Sequence, residues 1–529
     1  MMSEYVCAVD VGTGSARAGI VSTAGALLGR ASHPITLVRP AAGMAEHDSG
    51  DIWNAVCISV RDAVAQSGVD AAAIRAIGFD ATCSLVIRDA EGRPVAVSPD
   101  GPDNRDTICW MDHRGRAEAA ECTDSGHRVL DFIGGVMSPE METPKLMWLK
   151  RRHPTGWSRM AMAFDLADFL TWKATGSNAR SQCTLTAKWT YLAHDGGWQP
   201  DFFAGLGLDD VFERTGADAP VIEPGSAVGR LSEEAARDLG LTTGCTVAAG
   251  LIDAFAGALG AVGGQAGEAI DRHLALIAGT SSCVMGLAPD QRPAAGVWGP
   301  YYGAAMPGYW LSEGGQSATG ALLDHVITQF GGGLTANAAT HERIGARLAD
   351  LLAAEGPDLA GDLHVLPDFH GNRTPYADPA PAGVISGLSL DDSFDGLCRL
   401  YWRTCVAIAL GVREILDHMN GHGYRIDTLH LTGGHARSPI LTALYADATG
   451  CRLSIPQGND AVLLGSAMNA AGAAGLYGSL ADACRAMMGT PTTIEPDPAR
   501  SQAYDRDYTI FRRMRDHRRE LLALRSAPA

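Results

Sequence analysis

Two stretches of this chain share one hydropathy pattern: an apolar run, a tight Gly/Thr/Ser turn and a second apolar run. The first, YVCAVDVGTGSARAGIV, runs from Tyr5 to Val21, and the second, HLALIAGTSSCVMGLA, from His273 to Ala288. Short apolar runs bounded by turn residues predict strands, so each stretch reads as two strands joined by a turn. After the first pair the pattern becomes helical over about Asp51 to Gln66 and returns to a strand over Ile74 to Phe79. Residues from Gly92 to about Val211 are rich in Trp, Met, Pro and Asp and read as an elaborated insertion. A strand ending near Ile252 leads into a small-residue helix starting at Asp253, and Gly263, Gly264 and Gly267 make a hinge. The second half follows the same logic: the second turn, Trp310 to Gly320, a helical region, and the loop DFHGNRTPYADP. Leu397, Leu400, Tyr401, Val406, Ile408, Val412, Ile415, Leu416 and Met419 recur at helical spacing and predict a long buried helix. A strand from Thr428 to Leu431 delivers Gly433 and Gly434, a helix opens near Ser438, and Asp460 to Gly472 is a small-residue helix suited to close packing. Strands alternating with helices in two comparable halves predict a duplicated α/β fold.

Glycine permits positive φ, so both turns can aim backbone N–H groups at an anion, with Thr13, Ser15, Thr280, Ser281 and Ser282 adding hydroxyls. Each turn by itself is equally well explained as a plain hairpin connection. Asp10 shifts the balance. A carboxylate beside a phosphate cradle needs a cation between them, and Mg²⁺ fills that place in most phosphoryl-transfer sites. Two cradles half a chain apart therefore point to ATP gripped between the halves, with Arg17 offering a bidentate phosphate contact.

Composition narrows the class. A chain of 529 residues exceeds one core, since domains run to about 100–250 residues. The net charge of −18 argues against nucleic acid and anionic membranes as partners. It does not argue against ATP, because surface charge is screened beyond about 8 Å. The twelve cysteines are scattered with no C-x-x-C pair, which suits reduced thiols in a cytoplasm and no structural zinc. No apolar run approaches the ~20 residues that span a bilayer. Met1 to Glu4 lead directly into a strand, leaving no room for a signal peptide, and the expected location is the cytoplasm. The small-residue helices suit packing internally or against a second copy, and a homodimer is the expected assembly. The arginine-rich segment from Phe511 to Leu524 predicts a C-terminal helix with a solvated basic face. Lysine is confined to Lys145, Lys150, Lys173 and Lys188, which flags Lys145 and Lys188 as places where a compact ammonium is needed.

With these residues in hand, the chain resembles the FGGY carbohydrate kinases of the actin-like ATPase superfamily. The resemblance runs from about Val6 to Met488 through DVGTGSARA, WMDHR at 110–114, GLIDAFAG at 250–257, AGTSS at 278–282, GNRTP at 371–375 and LTGGHARSP at 431–439. FDATCS at 79–84, SPEMETPK at 138–145, TAKWTY at 186–191 and SEGGQSATG at 312–320 are similar to the pentulose kinases of the D-ribulokinase and ribulokinase type. Gly396 departs from the family pattern, which usually has a polar residue there.

The resemblance implies a duplicated actin-like, ribonuclease H-like fold with two lobes around a central cleft for ATP and sugar. The implied domains are 1–267, with sugar-binding elaborations over about 92–211, then 268–500 for nucleotide binding, and a helical tail over 501–529. The implied reaction moves the γ-phosphoryl of MgATP to the terminal hydroxyl of a ketopentose, D-ribulose first, with L-ribulose, ribitol or D-xylulose as alternatives. A nucleotide-switching binder of the actin or chaperone type is the alternative from another class. Asp253 is the implied catalytic base, although an aspartate there also suits a helix cap. Asp10 and Asp253 would hold Mg²⁺. Thr13, Gly14, Ser15, Arg17, Gly279, Thr280, Ser281, Gly433, Gly434 and Arg437 would bind nucleotide. Cys83, Ser84, Trp110, Asp112, Glu140, Lys188, Asp253 and Glu313 would bind sugar. In that pocket the Lys188 ammonium would sit between Glu140 and Glu313 and balance them.

Overall fold

The computed structural model describes residues 4–526 apart from 268, 457 and 459. The expected chain start at Met1 to Ser3, the domain-boundary residue Glu268 and the tail residues 527–529 lie outside the described residues.

The strand Tyr5–Val11 is buried from Val6 to Val11, as a central strand covered on both faces requires. It pairs antiparallel with Ser15–Ser22, which pairs antiparallel with Leu27–Pro34. On its other side it pairs parallel with Ile74–Ala81, which pairs parallel with Thr246–Ala248 and Leu251–Ile252. The helix Ser49–Ser67 supplies the crossover, opened by Asp48, whose side chain accepts from the N–H groups of Gly50 and Asp51, and closed by left-handed Gly68.

The second half repeats this order. His273–Ala278 pairs antiparallel with Ser282–Ala288, which pairs antiparallel with Trp310–Gln316. It also pairs parallel with Thr428–Gly433, which pairs parallel with Arg452–Ile455. The long helix Phe394–Gly421 makes the crossover, and Gly396 sits in its first turn, its N–H donated to the Ser393 cap. The anticipated duplication is thus a repeated sheet topology.

The two lobes meet through two helices whose backbones touch. A Cβ at Gly260, in helix Asp253–Val262, would lie 2.0 Å from the Ala461 carbonyl oxygen; one at Gly465, in helix Ala461–Ala473, would lie 1.8 Å from that of Ala256. The second helix also rests on the first sheet, where a Cβ at Gly78 would lie 2.5 Å from the Ser466 carbonyl. Leu463, Ala467 and Met468 consequently share one apolar core with Val6, Ala8 and Ala76. The fold boundary crosses the linear one.

Two expectations change here. Gly263 and Gly264 are packed rather than free: a Cβ on either would come within 3 Å of Cys484 or Met488 sulfur, and only Gly267 has positive φ with open space. The tail helix Pro498–Ser526 is not simply a solvated basic face, since Arg515 is buried among carboxylates. All twelve cysteines are unbridged. Among the described residues no helix is long and apolar enough to cross a membrane.

Candidate active site

Parallel register brings three carboxylates to the carboxyl ends of adjacent strands. Asp10 is paired in register with Asp80, and Leu251–Ile252 runs beside Asp80 and Ala81, so Asp253 follows at the same edge. Asp10 and Asp80 are both buried and lie side by side on paired strands. Two neighbouring buried carboxylates need a proton or a cation between them. Asp10 is raised to about 7, by burial above all, with Arg17 pulling it down and Asp253 and Asp460 adding to the rise. Burial also raises Asp80, whose Oδ2 accepts from Ser466 Oγ while Oδ1 has no partner.

Asp80 is not among the candidates from sequence. Its signal lies in FDATCS, but the meaning of that aspartate depends on which strand runs beside it.

Arg17 is already engaged. It pairs with Asp10 and lies 3.5 Å from Asp460 Oδ2, which Arg30 also approaches at 3.1 Å. The expected phosphate fork is therefore first a counter-ion for buried carboxylates.

Asp253 is the first residue of its helix, and its Oδ1 accepts from the adjacent Ala254 N–H at 2.7 Å rather than capping a later turn. Burial raises its pKa against the lowering effects of Ala254 N–H, Lys188 and Arg17, so the helix N-terminus does not hold it in the ordinary carboxylate range.

The two hairpin turns differ from the expected cradle in one respect. Gly12, Gly14 and Gly279 lack positive φ. Glycine serves there to leave space: a Cβ at Gly14 would meet nothing within 4 Å, and the Gly14, Thr280 and Ser281 tips are exposed. Gly433 does need its glycine, with φ +87 and a would-be Cβ 2.4 Å from the Ala278 carbonyl. It brings the backbone close to the second hairpin, with Gly434 and exposed Arg437 following.

A cluster of buried polar groups lies between the insertion and the second sheet. Lys188 ends the helix Gln182–Lys188 and is only 4% exposed, yet forms no hydrogen bond or ion pair among the described residues. Its Nζ lies 4.9 Å from the Trp298 ring centroid. Burial would lower this ammonium, but Cys83, Glu313, Tyr301 and Glu140 outweigh it and hold the group charged. Glu313, 5% exposed, pairs directly with Arg373 rather than Lys188, and the Arg373 guanidinium lies 4.6 Å from the centroid of that same Trp298 ring. Lys188 and Glu313 are both buried, so neither belongs to a surface ion pair. Tyr301 presents a buried hydroxyl with no partner beside the same charges. Arg373, Trp298 and Tyr301 escape the sequence reading, although Arg373 lies in plain view in GNRTP.

Among the remaining candidates, Trp110 Nε1 donates to Thr13 Oγ1 at 2.9 Å and its N–H to Ser84 Oγ at 3.1 Å, linking the first hairpin to the Cys83–Ser84 segment. Cys83 is buried, and its carbonyl accepts from Lys145, which also pairs with buried Glu142 at 3.3 Å. Asp112 departs from its expected role. Its oxygens accept from Ala45 N–H and from three Arg114 nitrogens at 2.6 to 2.9 Å. Those bonds fill a carboxylate's lone pairs, so Asp112 holds the WMDHR turn and has none left for a sugar hydroxyl.

Among the described residues no three His, Cys, Asp or Glu groups are arranged to hold a metal by themselves. The oxygen-only donors and the unpartnered Asp80 Oδ1 fit a hard divalent cation that takes one or two carboxylates and completes its shell with water and phosphate.

Two lobes thus repeat one sheet order, and the carboxylates of Asp10, Asp80 and Asp253 stand together at one edge of the first sheet. The chain belongs to the FGGY family of carbohydrate kinases: its N-terminal domain model matches residues 5–260 and its C-terminal domain model residues 274–474. It is a sugar kinase. A Homo sapiens FGGY carbohydrate kinase domain-containing protein is 42% identical over 98% of each chain. A Saccharomyces cerevisiae D-ribulokinase is 37% identical over 89% of this chain and 72% of its own length. Among solved structures, the xylulose kinase of Rhodospirillum rubrum superposes with TM-score 0.81 at 23% identity, covering 98% of this chain and 99% of that one. The glycerol kinase of Plasmodium falciparum with ADP superposes at 0.77 and 13% identity, over 96% and 97%.

Proposed function

We propose that this kinase transfers the γ-phosphoryl of ATP to the terminal hydroxyl of a ketopentose, with D-ribulose as its preferred acceptor. The observation that carries the reading is Lys188, a buried ammonium that among the described residues has no hydrogen-bond or ion-pair partner and stands beside Glu313, Arg373 and a Tyr301 hydroxyl likewise unbonded there. Buried polar groups left unpaired are costly, and a polyhydroxylated ligand supplies the missing oxygens. The resemblance to a D-ribulokinase over most of the chain supports the choice of sugar.

In this reading Asp253 accepts the proton of the attacking hydroxyl as the phosphorus–oxygen bond forms. The hairpin tips at Thr13–Ser15 and Gly279–Ser281 face the terminal phosphates from opposite lobes, and Gly433, Gly434 and Arg437 flank the rest of the nucleotide. Mg²⁺ held near Asp10 would neutralise phosphate charge. Glu140, Lys188 and Glu313 hold the sugar against Trp110, with Cys83 and Ser84 lining the wall.

A coupled ADP-release assay across D-ribulose, L-ribulose, ribitol and D-xylulose tests this. D-ribulose is expected to give the highest kcat/KM, and Lys188→Met to lower it by about 10²-fold or more, because a buried sugar oxygen is then left without its donor. Equal rates across the four sugars, or an unaffected Lys188→Met, would overturn the assignment.

A further inference from the structure

The tail helix Pro498–Ser526 reaches the sugar pocket through an unbroken chain of contacts. Arg515 is 2% exposed; its Nη1 lies 3.0 Å from Glu414 Oε2 and its Nη2 3.6 Å from Asp368 Oδ2. Its guanidinium also lies 4.7 Å from the Tyr376 ring centroid. Arg518 adds a second contact to Asp368 Oδ2 at 2.8 Å. These partners bracket one loop. Asp368 accepts from Asn372 Nδ2 at 3.0 Å, Asn372 Oδ1 accepts from Tyr376 N–H at 3.2 Å, and the Tyr376 hydroxyl donates to Glu414 Oε1 at 3.0 Å. Between Asn372 and Tyr376 sits Arg373, which pairs with Glu313 and lies over Trp298. A small polar cavity lined by Gln316, Asn372, Arg373, Glu414 and Arg515 separates helix from loop.

We infer that the C-terminal helix is a strap on the sugar pocket, with Arg515 a positioning residue that fixes the 368–376 loop so that Arg373 meets Glu313. The inference rests on the sugar-pocket reading of Glu313. The segment from 367 to 378 has no helix or extended strand of its own; backbone bonds between Asn372 and Asp378 close its turn, and these polar contacts tie that turn to the helix. A planar guanidinium can serve two carboxylates and a ring at once, where an ammonium serves as a point charge. The charged side chains of the helix meet Asp368, Glu414, Arg403 and Arg413, and also Asp358 through Arg506, the Ala382 carbonyl through Arg518 and Asp447 through Arg500; among the described residues neither phosphate hairpin supplies any of these partners. At Arg515 the strap acts on the loop that carries Arg373, whereas Arg500, at the other end of the helix, meets Asp447 on the helix Pro439–Thr449; the effect of Arg515 is therefore expected on sugar and not on nucleotide.

Hydrogen exchange and steady-state kinetics of the full-length protein test this in Arg515→Gln, Arg515→Lys and Tyr376→Phe. In Arg515→Gln the amides of the 368–378 segment are expected to exchange about tenfold faster. KM for the sugar the wild type prefers should rise about tenfold while KM for ATP stays within about twofold, since small misplacements near a reacting group are costly. Arg515→Lys is expected to recover part of both effects. Should Arg515→Gln not fold, Tyr376→Phe, which removes one hydroxyl, carries the same expectation at about threefold. Unchanged exchange and sugar KM in a folded variant overturn the strap; so does a parallel rise in both KM values, which marks general destabilisation. A wild type that phosphorylates no pentulose overturns the functional reading instead, and the exchange measurement still decides whether the helix holds the loop.

Discussion

Asp253 is where burial and chemistry meet. Its raised pKa makes the carboxylate a stronger base, and in the proposed role as general base it calls for a pH high enough to ionise it. Asp253→Asn is expected to lower turnover about 10²–10⁴-fold with ATP binding retained, the range for loss of a general base. Near-normal turnover, read beside ATP affinity by calorimetry, would remove Asp253 from that role. A second residue-scale consequence concerns stability. His273 Nδ1 and His430 Nε2 lie 2.9 Å apart, a bond that needs one donor and one acceptor. Burial, then the neighbouring His273, holds His430 down to about 3 from 6.5, so the fold favours its neutral form. The stability this confers is complete above the unfolded value. It is lost as pH falls from there towards the folded value, at about 1.4 kcal/mol for each pH unit crossed. Lowering the pH from about 7 to about 5 should reduce the thermal midpoint of wild type more than that of His430→Gln. Equal slopes would take the pair out of the acid response.

At the scale of elements, the helix pair Asp253–Val262 and Ala461–Ala473 joins the lobes with backbone against backbone. Gly465→Ala should cost about 1–3 kcal/mol, because a methyl there overlaps the Ala256 carbonyl and the helices must part. Gly345 provides the contrast. It lies inside helix Ala338–Glu355 with nothing within 4 Å of a would-be Cβ, so Gly345→Ala should stabilise by about 0.5–1 kcal/mol. Thermal unfolding of both variants checks the pair, and destabilisation by Gly345→Ala together with none by Gly465→Ala would refute the contact geometry.

At the scale of the molecule, water competes with sugar for the phosphoryl group, and lobe closure is the way to exclude it. Asp460, on the second-half segment leading into the shared helix, already bonds Arg17 and approaches Arg30 of the first sheet, so the lobes are tied at one edge of the cleft. D-ribulose with a non-hydrolysable ATP analogue should lower the radius of gyration in solution scattering. Unchanged curves would count against closure.

Hydropathy along the chain already contained the strands of both hairpins, the long helix and the small-residue helices, because burial period and helix crossing both require particular residue types locally. It contained Asp253 and the glycine turns for the same reason: their chemistry travels with a short motif. The partners of charged groups were beyond its reach. Arg17 goes to Asp10 and Asp460, Glu313 goes to Arg373 and not Lys188, Asp112 is consumed by Arg114, and Asp80 answers Asp10. Each of those choices follows from strand register, a crossing helix or a returning tail that brings distant segments within hydrogen-bonding distance. Local sequence sets which groups are present and on which element they ride; only the folded chain decides which charge meets which, since electrostatic pairing depends on separation in space and on the water removed around it.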